Sequence, residues 1–251
     1  MTGRVHSFQS MGAVDGPGLR GVVFLQGCPL RCAYCHNPDT WEFAGGEETE
    51  ASALAARILR LKNFYKKGGV TVSGGEPLMQ GEFVRELFQI MHENGLHTAL
   101  DTSGIGTDEQ IDAALTHTDL VLCDIKFPDA DLYRRHAGAD MNRVLEFLRE
   151  VERRNIPLWV RHVVVPGLTD GEESAKAVAK IARSFKNLER IELLPFRKIC
   201  LPKYEALQIP FPLADTPECP AETIARLEAL IGVDASANSE PATPQRSKNG
   251  C

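Results

Sequence analysis

Short apolar runs alternate with amphipathic stretches along most of the chain. Val22-Val23-Phe24-Leu25, bounded by Gly21 and Gly27, is too short for a helix and reads as a buried strand. Comparable runs recur at 70–73, 97–100, 120–123, 158–165 and 190–194. Between them the apolar residues fall at helical spacing. Leu54, Ile58, Leu61 and Tyr65 mark a helix over 49–66, with Thr49 as its expected N-cap and Gly68-Gly69 as its stop. Further helices are expected at about 81–94, 108–116, 129–135, 141–154 and 171–185. Six strands separated by helices predict parallel βαβ units with right-handed crossovers. Six units are too few for a closed eight-strand barrel. The expected fold class is therefore α/β, an open partial (β/α)6 barrel of parallel strands, with a doubly wound sheet as the alternative.

The flanks break this pattern. Residues 1–21 are polar and Gly-rich, with the turn Asp15-Gly16-Pro17-Gly18, and read as loop. Residues 196–220 hold Pro202, Pro210, Pro212, Pro217 and Pro220 and read as an ordered loop lying across the barrel. Residues 221–231 read as a final helix. Beyond Gly232 the composition buries too little apolar surface to offset ordering, so 234–251 is expected to be a disordered tail. The expected organisation is one domain over 1–233 followed by that tail.

Bulk composition narrows the partners. With 251 residues, 43% of them hydrophobic, the chain can bury a sizeable core. A net charge of -6 without a basic stripe argues against nucleic acid. No apolar run reaches the roughly 18 residues that span a bilayer, and the start lacks a hydrophobic signal region. Seven cysteines are an odd count that does not suit a secreted disulfide framework. A monomer in the reducing cytoplasm is the expectation.

Three of the cysteines, Cys28, Cys32 and Cys35, directly follow the first apolar run with C-x3-C-x2-C spacing. Closely spaced thiolates select zinc, Cu(I) or an iron–sulfur cluster. Zinc and ordinary 4Fe–4S sites use four protein ligands, yet the next cysteine is Cys123. Two readings follow. With His36 as fourth ligand the loop is the zinc site of a binding module, although adjacent Cys35 and His36 do not easily reach one tetrahedron. Without it, three thiolates hold a cluster with one iron open. Polar residues also follow the later strands: Gly74-Gly75-Glu76-Pro77, Asp101-Thr102-Ser103-Gly104 and Asp124-Ile125-Lys126. In parallel α/β folds that edge carries the ligand site. Taken singly, each has an ordinary explanation: a βα turn, an Asp that caps a helix, Tyr34 packed under a loop, or Arg161 paired with Asp124.

With Tyr34 just before the third cysteine, the loop resembles the signature of the radical S-adenosylmethionine (SAM) superfamily. Asp15-Gly16-Pro17-Gly18-Leu19-Arg20, Gln26-Gly27-Cys28, Tyr34-Cys35-His36-Asn37, Ser73-Gly74-Gly75-Glu76, Asp101-Thr102-Ser103-Gly104, Asp124-Ile125-Lys126 and Val163-Val164-Val165-Pro166-Gly167 follow in the order of the pyruvate formate-lyase activating enzymes. This narrower resemblance covers residues 5–196. It implies one 4Fe–4S cluster on Cys28, Cys32 and Cys35, with SAM chelating the fourth iron. One electron from the reduced cluster would cleave SAM to methionine and a 5′-deoxyadenosyl radical. That radical would take a hydrogen from a glycine Cα of formate C-acetyltransferase (pyruvate formate-lyase).

The resemblance also implies roles for single residues. Tyr34, Cys35 and His36 would lie by the adenine, and Gly74, Gly75 and Glu76 by the methionine moiety. Lys126, with Asp124 and Ile125, would lie near the SAM carboxylate, and Arg161 would meet SAM or an acidic partner group. Asp101, Thr102 and Asp124 would hold a monovalent cation. Asp15 and Gly16 would face the partner's glycine loop, and flavodoxin or ferredoxin would donate electrons. Pro195-Phe196-Arg197-Lys198 departs from the family, which often has a histidine near the ribose; Arg197 is expected to replace it. Cys200 and Cys219 match no family pattern and read as isolated thiols, and Cys123 reads as core. Residues 38–73 contain no cysteine, which favours the compact single-cluster type. Radical SAM chemistry on another glycyl-radical enzyme or on a small molecule is the alternative.

Overall fold

The computed structural model describes residues 1–233; the expected tail at 234–251 lies outside them. The order is β1 (Thr2–Gly12), β2 (Arg20–Leu25), β3 (Glu47–Glu50), α1 (Ala51–Leu59), β4 (Gly69–Gly74), α2 (Gly81–Glu93), β5 (Thr98–Thr102), α3 (Asp108–Leu115) and β6 (Leu120–Asp124). It continues with α4 (Ala130–Ala137), α5 (Met141–Arg153), β7 (Leu158–Val164), α6 (Glu172–Ala182), β8 (Leu188–Pro195), α7 (Leu201–Ala206) and α8 (Ala221–Ile231). One sheet runs β3-β1-β2-β4-β5-β6-β7-β8. The six strands from β2 to β8 in that row are parallel, and β1 is antiparallel to both its neighbours. The end strands β3 and β8 do not pair with each other, so the barrel is partial and open.

The six predicted strands are present, and two more join them. Residues 1–21 are not all loop. β1 pairs with β2 from Val5↔Leu25 to Gly12↔Arg20, and with β3 from Thr2↔Glu50 to Val5↔Glu47. Both added strands are polar, and Arg4 meets Glu48 at 2.8 Å across them. The first helix is shorter than its apolar spacing suggests. Thr49 belongs to β3, so Glu50 takes the N-cap position, and a 3-10 turn at Lys62–Phe64 replaces the last helical turn. Segment 196–220, expected to be a loop, contains α7, whose Pro202 stands in the first turn, where proline lacks only a donor the helix does not use.

The strand alternation sorts the barrel interior into layers. Side chains two apart share a face. Ala99, Leu120, Leu122 and Trp159 form a small apolar cluster of their own. Two residues further along the same strands stand Asp101, Asp124 and Arg161, which line a cavity. The opposite face packs on the helices, through Leu87, Phe88 and Met91 of α2 and Val144, Phe147, Leu148 and Val151 of α5. The charged layer thus rests on an apolar floor at the carboxyl ends of the strands.

Acid should weaken this fold through its buried histidines. Burial, then the Arg20 charge, lower His97 to about 4, against an opposing pull from Asp119. Burial also lowers His36 and His162. An unfolded histidine titrates near 6.5, so between 6.5 and 4 the unfolded chain binds protons that the native chain refuses, and stability falls with pH. At pH 5 His97 alone accounts for about 2 kcal/mol. His92 has the opposite sign: Asp119 raises it, so its contribution is complete below 6.5 and is lost as pH rises through its native value. Glu76 and Asp15, raised by burial, also offset part of the acid loss. His97→Gln keeps an acceptor for Arg20 and should shrink the difference between urea midpoints at pH 7 and pH 5; an unchanged difference would refute the assignment.

Candidate active site

A cavity of about 350 Å³ opens at the carboxyl ends of the parallel strands. Cys28, Cys32 and Cys35 line it, with Asp101 from β5, Asp124 from β6, Lys126 just after β6 and Arg161 from β7. The cysteine loop is held by backbone bonds at both ends. Gly27 and Cys28 amides donate to the Thr40 and Trp41 carbonyls at 2.8 and 3.2 Å, and Arg31 and Ala33 amides donate to the Ala137 and His136 carbonyls at 3.0 and 2.8 Å. Arg31 adds 2.8 Å bonds to the Cys28 and Leu30 carbonyls and lies over the Trp41 ring.

Burial pushes the Cys28 and Cys32 thiols up to about 12, and raises Cys35 as well. The metal-free thiols therefore keep their protons at neutral pH, and a soft cation must displace them to bind. Three sulfurs on one cavity wall suit a 4Fe–4S cluster, and the Asn37 amide 3.4 Å from Cys35 Sγ supplies the kind of bond that stabilises cluster sulfur. A single ion fits less well. Among the described residues no three His, Cys, Asp or Glu side chains gather around one ion position. A cluster asks each thiolate for a different iron, so the sulfurs need not converge on a point. His36, the fourth ligand that zinc would need, has Nε2 2.9 Å from the Arg197 carbonyl.

Gly74 and Gly75 line the cavity, but neighbouring backbone is what demands glycine. A Cβ on Gly74, at φ 112°, would lie 2.3 Å from the Leu25 nitrogen, and one on Gly75 2.3 Å from the Gly27 carbonyl oxygen. The turn is thus pressed onto the start of the cysteine loop. Glu76 was expected at an ammonium; instead it is buried, away from the cavity. Its Oε1 accepts from the Leu78 amide and Thr102 hydroxyl, and its Oε2 from the Ser103 amide and hydroxyl. It clamps the β4 turn to the β5 turn.

The charged layer is a closed set. Arg161 donates to Asp101 and to both oxygens of Asp124, at 3.2 and 3.3 Å for the latter. Lys126 Nζ lies 2.8 Å from Asp124 Oδ2, and Ser73 Oγ donates to Asp101 Oδ2 at 2.7 Å. Burial alone would raise Asp124; Arg161 and Lys126 overcome it and bring the carboxyl to about 2. The salt bridge foreseen for Arg161 is therefore present, with a second acid added.

The other predicted residues divide. Tyr34 lines the cavity, packs against Phe127 at 5.8 Å and donates to the Lys126 carbonyl at 3.1 Å. Asp15 lines the cavity; Gly16 does not, and lies against the Arg20 side chain. Ile125 is buried off the cavity, its carbonyl bonded to His162 Nδ1. Thr102 lines the cavity with Asp101 and Asp124, and its hydroxyl donates to Glu76 Oε1. Arg197 also departs from expectation: its guanidinium turns to Glu218 and the Cys219 carbonyl, at 3.4 and 3.3 Å.

Segment 196–220 is tied to the cysteine loop and the turn after it by residues the sequence did not mark. Lys203 of α7 bonds Asn37 and Asp39 at 2.8 and 3.0 Å, and Tyr204 donates to the Cys35 carbonyl at 3.3 Å. Ser73 and Phe24 also line the cavity unforeseen; strand alternation with Thr71 and Val22 was the available signal. Cys123, Cys200 and Cys219 are buried.

The sequence profile of the radical SAM superfamily matches residues 22–178. The pyruvate formate-lyase-activating enzyme of Clostridium pasteurianum is 46% identical over 231 residues, covering 91% of this chain and 97% of that protein. Pyruvate formate-lyase 1-activating enzyme of Escherichia coli is 40% identical over 233 residues, covering 91% and 95%. Among solved structures, a radical SAM methyltransferase from Sphaerobacter thermophilus superposes with a TM-score of 0.63 at 18% identity, covering 89% of this chain and 65% of that one. A domain of a pyruvate-formate lyase-activating enzyme from Bacteroides vulgatus gives 0.54 at 23% identity, covering 66% and 93%. At these identities the two structures bear on the fold alone.

Proposed function

Because the chain belongs to the radical SAM superfamily and, within it, to the pyruvate formate-lyase-activating enzymes, we propose that it makes the glycyl radical of pyruvate formate-lyase. The observation behind this reading is three cysteine thiols, with no fourth among the described residues, lining one cavity together with the charged layer. Cys28, Cys32 and Cys35 would hold a 4Fe–4S cluster, which with SAM bound supplies the one-electron cleavage to methionine and a 5′-deoxyadenosyl radical.

The chain's own residues position and shield. Gly74 and Gly75 offer backbone, in place of the engaged Glu76 carboxylate, to the ammonium of SAM. Lys126, a point charge at the cavity wall, attracts its carboxylate, and Tyr34 and His36 border the adenine. Phe24, Leu30, Val163 and Leu194 make apolar walls that exclude water from the reacting carbon. Asp15, on the same cavity, faces the glycine-bearing segment of the partner. Asp101, Thr102 and Asp124, all on the cavity wall, would be the residues to hold a monovalent cation. Action as a monomer in the cytoplasm, with flavodoxin or ferredoxin as donor, completes the reading.

The test is to mix reduced protein, SAM and pyruvate formate-lyase without oxygen and record the EPR spectrum. A glycyl-radical doublet is expected. Its absence from protein with intact iron and sulfide, or SAM cleavage that waits on an added metabolite, would overturn the partner assignment. One zinc and no sulfide in anaerobically purified protein would overturn the enzyme reading.

A further inference from the structure

Arg20 is fully buried at the amino end of β2, and no carboxylate is bonded to it. Desolvating a guanidinium is costly, and an apolar side chain of similar length would fill the space without that cost. What distinguishes arginine here is its planar fork. Nε donates to Thr71 Oγ1 at 2.6 Å, and one Nη donates to the Pro17 carbonyl at 3.1 Å. The other Nη reaches the Val70 carbonyl at 2.8 Å and His97 Nδ1 at 3.2 Å. The Thr71 hydroxyl in turn donates to the Asp15 carbonyl at 2.6 Å.

These bonds join two regions. On one side are the amino ends of β4 and β5, which are fixed in the sheet. On the other is the turn at 15–18, which has no ladder of its own. Gly16 and Gly18 adopt φ of 117° and 70°, where other residues are strained. Gly16 also lies against the Arg20 stem: a Cβ there would stand 3.2 Å from Arg20 Cδ. The turn is therefore held in place by Arg20 and Thr71.

We propose that Arg20 is a positioning residue: it grips the turn directly at Pro17 and through Thr71 at Asp15, and so fixes Asp15 at the wall where the partner's glycine segment must lie. This rests on the activating-enzyme reading above. Arg20 touches none of the reacting groups, so its effect falls on docking of the partner.

Two variants test it. Arg20→Lys keeps the charge but cannot span Thr71, Pro17 and Val70 from one nitrogen, and Thr71→Val removes only the relay to Asp15. In both, the KM for pyruvate formate-lyase should rise about tenfold while kcat changes less than about threefold. Amide hydrogen exchange, measured without partner, should accelerate at residues 14–18 and stay unchanged in β5 and β6. Unaltered exchange and KM in both variants overturn the proposal. So does a fall in kcat that matches the rise in KM, since that marks general damage. A wild-type mixture with no glycyl radical would instead sink the activating-enzyme reading, and the exchange data would still judge the grip of Arg20 on the turn.

Discussion

Replacing Cys32 by alanine is expected to abolish SAM cleavage: 5′-deoxyadenosine formation should fall by more than about a thousandfold, and iron and sulfide content should fall with it. The described residues offer no spare ligand. Cys123 is in the core on β6, Cys200 and Cys219 are buried in segment 196–220, and His36 is bonded to the Arg197 carbonyl. The loop itself should survive, because the amides on either side of Cys32 are held by the Ala137 and His136 carbonyls. An unchanged circular dichroism spectrum therefore accompanies the lost activity. Full 5′-deoxyadenosine formation by the variant would refute the ligand assignment.

Arg161→Ala is expected to cost about 3 kcal/mol of stability, because it strands buried carboxylates that the guanidinium now satisfies. Asp124 would retain Lys126, and Asp101 only the Ser73 hydroxyl. The loss depends on pH with a definite sign. Asp124 is near 2 in the fold and 3.8 outside it, so its contribution is complete above 3.8 and disappears as pH falls through 2. Removing Arg161 lets burial raise that carboxyl. The gap between wild type and variant in urea midpoint should be widest at neutral pH and should narrow toward pH 3. Equal midpoints at pH 7 would mean that Arg161 contributes nothing to the charged layer.

What could be read from the residues alone follows the range of the interactions. The cysteine loop and the strand-end motifs were legible because each is a local pattern next to a local apolar run. β1 and β3 were not, because both are polar and owe their form to ladders with residues far off in sequence, such as Gln9 with Val22 and Thr2 with Glu50. Glu76 was placed at the right turn but given the wrong neighbours. Its partners Thr102 and Ser103 lie 26 and 27 residues away, and no spacing announces them. Arg197 was read by position after a strand, yet Glu218 and the Cys219 carbonyl, from the far side of segment 196–220, decide where it points. Arg161 was legible in both its position and one of its partners, because alternation put it on the same face as a strand-end acid.

The bonds from Arg31 and Ala33 to the last carbonyls of α4 have a consequence of their own. The end of a helix leaves carbonyls that water or another group must satisfy. Here the ligand loop serves as that group, so loop and helix end take shape together when the chain folds. Much of the entropy of ordering the loop is then lost at folding, before any iron arrives. A chain without its cluster would therefore keep the mould that the cluster fills.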